Sequence, residues 1–160
     1  MTKHLITLLL AIIFVMPSQA QQVYKEVMRL SQQIVNDTKQ SLDARKMAQF
    51  KVDALDYMVR KTQEFMPDSL VTVLDYQAFA LFDFINLFTQ QLTKNTKKKD
   101  RQRIMTLFQE ASLQNARFFD TDKEYIHAYV HSMQHITRFS LDTDWVAAIN
   151  EVRQRLYNNP

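Results

Sequence analysis

The chain contains no glycine. Proteins on average use about 7%, so the absence constrains what this one can fold into. Hairpin turns of the primed types, phosphate-cradling loops and dinucleotide fingerprints all need glycine for positive φ or for close backbone approach. Sheet-rich and nucleotide-binding architectures of those kinds are excluded. Only 3 prolines occur in 160 residues, so helix breakers are scarce. The expected fold is all-α: a single-domain bundle of five to six helices over residues 21–160. A composition of 46% hydrophobic and 23% charged residues suits a packed core rather than a disordered chain. The absence of cysteine excludes disulfides, thiol catalysis and thiolate-held metals.

Residues 1–20 have the layout of a secretory signal peptide. Lys3 and His4 precede an uncharged apolar run over residues 5–16. Pro17 breaks it, and Ser18 and Ala20 put small residues at −3 and −1. The run is short for a bilayer span, which needs about 20 apolar residues. Cleavage after Ala20 is expected, leaving no membrane span and a chain in the bacterial periplasm or exterior. The whole chain is nearly neutral, at +3, which argues against nucleic acid as a partner.

Apolar spacing of three and four predicts helix 1 over residues 22–39 and helix 2 over 42–65, with Ser41 as N-cap. The core face of helix 2 is expected to be Ala44, Met47, Ala54, Leu55, Met58, Val59, Thr62 and Phe65. Pro67 ends it. Helix 3, about 68–93, is apolar in nearly every direction except a stripe of Thr72, Asp75, Asp83, Asn86 and Gln90, and so should be the central helix. Helix 4 is expected over 98–113, with Ile104, Leu107, Phe108 and Ala111 inward. Thr121 and Glu124 read as a capping box opening helix 5, about 122–136. Helix 6 follows over 143–158. Two segments look alike, Arg117-Phe118-Phe119-Asp120-Thr121-Asp122 and Arg138-Phe139-Ser140-Leu141-Asp142-Thr143-Asp144, and helix capping explains both Asp-Thr-Asp triplets.

Three kinds of site can be drawn. Glu124, His127, His131 and His135 form a stripe whose four-residue spacing could chelate a divalent metal or sense pH. Glu124 and His127 match one half of a di-iron motif, but no second copy exists. Taking Ile126, Val130 and Met133 as the inward direction, the stripe faces outward and would bind metal weakly. No other cofactor is implied. Phe79, on the polar stripe of helix 3, and Phe118 and Phe119 before helix 5 are candidates for a partner-binding patch. Lys97, Lys98, Lys99, Arg101 and Arg103 form a basic connector suited to anionic surfaces. Carboxylate pairs exist (Asp75 with Asp83, Asp53 with Asp56), but no nucleophile elbow is possible without glycine. The chain therefore reads as a non-enzymatic protein- or peptide-binding module, with homo-oligomerisation open.

The segments Asp75-Tyr76-Gln77-Ala78-Phe79-Ala80-Leu81-Phe82-Asp83-Phe84 and Phe139-Ser140-Leu141-Asp142-Thr143-Asp144-Trp145-Val146 resemble small exported helical proteins of Gram-negative bacteria known only as domains of unknown function. The resemblance implies export and a helical fold, and brings no activity. Size and composition also resemble the small periplasmic stress chaperones of the Spy type. Their Leu-Thr-x-x-Gln signature is not met, since Leu92-Thr93 is followed by Thr96.

Overall fold

A computed structural model describes residues 22–118, 121–135 and 138–158. The expected signal segment lies outside these residues, as do Phe119 and Ile136. Six α-helices follow in order: α1 (Val23–Asn36), α2 (Leu42–Phe65), α3 (Leu70–Lys94), α4 (Lys98–Gln114), α5 (Lys123–His131) and α6 (Trp145–Asn158). A 3₁₀ turn, Pro67–Ser69, joins α2 to α3. No strand occurs among the described residues beyond one antiparallel bridge between Ala116 and Thr143.

Helix α3 is the centre of the bundle and packs against α1, α2, α4 and α6. It is long and apolar enough to cross a membrane by length and composition. Here its wide apolar face is the core: Leu74, Ala78, Leu81, Phe84, Ile85 and Phe88 are buried. Phe84 meets Phe108, Trp145 and Phe139 at ring-centroid distances of 5.0, 5.2 and 5.3 Å. These edge-on contacts join α3 to α4, α6 and the loop before α6. Phe139, which no helix carries, sits at the middle of this cluster and also touches Phe50 and Phe88.

Polar side chains set how the helices meet. The Ser41 hydroxyl accepts from Ala44 N at 3.2 Å, as expected of an N-cap. Helix α1 has no cap of its own. Its Tyr24 N–H donates to Asp75 Oδ1 at 3.0 Å, so a carboxylate of α3 serves its N-terminus. Helix α1 thus runs parallel to α3. Helix α6 is served the same way: buried Gln77 accepts from Trp145 N at 2.7 Å and donates to Asp144 at 3.0 Å.

Four expectations need correction. The capping box does not form: Asp122 is the N-cap of α5, in the left-handed region at φ 59°, and no side chain caps the helix. Helix α5 ends at His131, so Met133 and His135 are not helical, and Met133 is 85% exposed rather than inward. On α2, Phe65 is exposed, while Phe50 and Tyr57 are fully buried. Finally, of the second Asp-Thr-Asp triplet Asp144 caps α6 as expected, its carboxylate accepting from Ala147 N at 3.1 Å, whereas Asp142 caps no helix. It joins the two similar segments, accepting from the backbone N–H of Phe118 at 3.0 Å on its carboxylate, while its own carbonyl accepts from Arg117 N at 3.3 Å.

Candidate functional site

The outward face of α3 carries the most conspicuous surface chemistry. Among its polar residues, Tyr76 is 70% exposed and Phe79 59% exposed, and Phe82 is exposed beside them. At about 100° per residue Tyr76, Phe79 and Asp83 lie within one narrow sector. Helix α1 and helix α6 border this face. On the α6 side Arg153 pairs with Asp83 at 2.9 Å. Phe79 thus stands where the sequence placed it. Tyr76 and Phe82 belong to the same surface, but aromatic residues on so apolar a helix read as core. Phe118 is elsewhere: it is partly buried and stacks on Phe65 at 5.5 Å.

The histidine stripe is split. His127 and His131 are both exposed, with ring centroids 4.2 Å apart on one face of α5. Glu124 is exposed one turn earlier. His135 leaves the stripe because the helix has ended; its ring stacks on Tyr129 at 3.7 Å. Burial lowers the His135 pKa, Asp53 opposes that shift and Lys46 adds to it. Among the described residues no group of three His, Asp or Glu converges on a metal position.

Lys97, Lys98, Lys99, Arg101 and Arg103 are all exposed and lie in the first turns of α4 or just before it. Arg101 donates to the Leu92 carbonyl at 2.6 Å and so clasps the end of α3. The other four project into solvent beside a helix N-terminus, where their charges add to the positive end of the dipole.

A polar cluster that the sequence did not announce lies where α2 meets the loops at 117–122 and 140–144. Lys61, buried on α2, holds Asp122 at 2.7 Å and Glu64 at 3.2 Å. The Asp122 contact keeps the ammonium charged. Tyr57, one turn earlier, is fully buried, and its phenol is pushed up to about 12, first by burial and then by Asp142. Burial likewise raises the Asp142 carboxyl, against two backbone hydrogen bonds that lower it. Arg117 reaches Asp144 at 3.7 Å. Arg117 Nε has no hydrogen-bond partner among the described residues. A phenol held protonated is no general base, and what the cluster does visibly is tie both loops to α2. Tyr and Lys four apart on a helix were its only sequence trace.

No protein family, curated protein or solved structure matches this chain.

Proposed function

We propose that the chain is an exported, non-enzymatic helical module that docks a protein or peptide on the outward face of α3. The exposure of Tyr76 and Phe79 on an otherwise polar surface supports this reading. Aromatic side chains are enriched among the anchors of protein interfaces because they bury much area at little entropic cost. Export rests on the layout of residues 1–20, and intact mass of the exported protein should give a chain beginning at Gln21. Binding is tested by crosslinking in the bacterial envelope with a photoreactive residue at position 79. Adducts lost on Tyr76→Asp but kept on Tyr157→Asp support the surface. Adducts indifferent to both substitutions sink it.

A second reading is favoured by the 4.2 Å approach of His127 to His131. Two imidazoles one turn apart can share a divalent ion, leaving its other positions to water. Titration calorimetry with Zn²⁺, Ni²⁺ and Cu²⁺ on wild type and His131→Ala decides it. Submicromolar stoichiometric binding lost in the variant would make metal the leading function.

A further inference from the structure

A groove of about 350 Å³ lies beside α1; Phe82 lines it, while Tyr76 and Phe79 do not. Val27, Leu30 and Ile34 of α1 and Phe82 of α3 supply apolar walls. Lys51 of α2 shares the lining, and its ammonium lies over the Phe82 ring, 5.6 Å from the centroid. The Lys51 side chain is half-buried, and burial alone shifts its pKa, downward. Among the described residues no carboxylate offsets that burial. Asp37 lines the same groove and is held charged there by hydrogen bonds from Lys39 N at 2.9 Å and Gln40 Nε2 at 3.1 Å, but the cation that acts on it is Arg45 and not Lys51.

A half-buried cation without a counter-ion, set in an apolar concavity, is complementary to an anion that carries a hydrocarbon. We propose that this groove binds a linear amphiphile with a carboxylate head, a free fatty acid, with its chain along Val27, Leu30, Ile34 and Phe82 and its head on the Lys51 ammonium. A peptide fits less well. Its amides would need a hydrogen-bond partner at every residue, and beside the apolar walls the lining offers polar side chains only at Ser31, Gln33, Asp37 and Lys51. An alkyl chain makes no such demand. The carboxylate would gain a charge-assisted hydrogen bond in a partly desolvated setting, which an alcohol head cannot match.

The probes are sodium octanoate, sodium decanoate, decan-1-ol and decyltrimethylammonium, each below its micelle concentration, titrated into the full exported chain. The expected result is saturable 1:1 binding of decanoate, about tenfold tighter than decanol, with the cation weakest. Two added methylenes should tighten decanoate over octanoate by roughly tenfold. Lys51→Met should erase the advantage of the acid over the alcohol at unchanged melting temperature. Leu30→Glu, on the exposed rim, should abolish binding of both. Should Lys51→Met fail to fold, methyl NMR shifts on decanoate addition, confined to Val27, Leu30 and Ile34, carry the same test. Equal affinity for acid and alcohol, no saturation, or shifts outside these methyls would overturn the proposal. So would decanoate affinity surviving Leu30→Glu, or displacement by an uncharged Phe-terminated peptide amide as effective as decanol.

Discussion

Helix α3 contributes Leu74, Ala78, Leu81, Phe84, Ile85 and Phe88 to the core, whereas α5 contributes Tyr129 and Val130 alone. The long helix is fixed by apolar area and touches four neighbours. The short one is fixed by polar contacts near its two ends. At its start the Lys61 ammonium holds Asp122. Near its end the Tyr129 hydroxyl donates to Asp53 at 2.9 Å, and the ring leans on Phe50 and His135. Burial and Asp53 together push the Tyr129 phenol well above its usual range. Hydrophobic area is non-directional and insensitive to pH, while hydrogen bonds and ion pairs are directional and depend on protonation. Two parts of one small domain should therefore fail in different ways.

The sharpest break comes from Phe84→Ala. Removing a buried phenylalanine costs about 3–5 kcal/mol, out of about 5–15 kcal/mol that holds a domain together. The urea midpoint should collapse for every probe at once. Tyr129→Phe should cost less, about 1–2 kcal/mol, since the Asp53 hydrogen bond is lost while the packing stays. Amide exchange should rise in α5 and leave α3 protected; a uniform rise across both would erase the distinction.

Acid supplies the third test. His135 has a folded pKa below its unfolded value of about 6.5, because burial disfavours the imidazolium. Its contribution to stability is complete above the unfolded pKa and is lost as the pH falls through the folded one. Melting temperatures should drop between pH 7.5 and 5.0, and His135→Phe should flatten part of that drop. Asp53, Lys46 and Tyr129 face this ring, so Asp53→Asn should steepen the fall by removing the group that favours the cation. The smallest effect belongs to His131→Ala. Its ring is exposed, and in metal-free buffer stability should move by no more than roughly 0.5 kcal/mol. A larger loss would mean that the outer face of α5 is anchored too.

The contrast also explains what could be read in the sequence. Helix α2 begins and ends at residues 42 and 65 as expected, because Ser41 and Pro67 are local signals. Ile104, Leu107, Phe108 and Ala111 of α4 are buried as their spacing required. Phe79 is exposed because angular position on a helix is arithmetic. Phe139 was not legible as core, because a loop residue has no periodicity. The end of α5 was missed for a related reason: residues 132–135 keep a helical apolar spacing, yet Ser132 adopts an extended backbone. Asp122 and Arg138 take positive φ, at 59° and 54°. In a chain without glycine these reversals fall on an Asp, a residue that tolerates the left-handed region, and on an Arg, which does not advertise it. Lys61, Asp122 and Asp142 meet only through tertiary structure, so neither their contact nor the groove floor at Lys51 follows from spacing.

The hydrogen bond from Tyr24 N to Asp75 spans 51 positions of chain, and that separation orders events in time. Residues of α1 precede the other described helices, yet the Tyr24 amide has no protein acceptor until α3 exists and has docked. A loop of that length must close first, and its entropy is lost before the contact returns anything. The N-terminal cap of the first described helix is thus completed only after α3 has docked. Substitutions in α1 should speed unfolding far more than they slow folding.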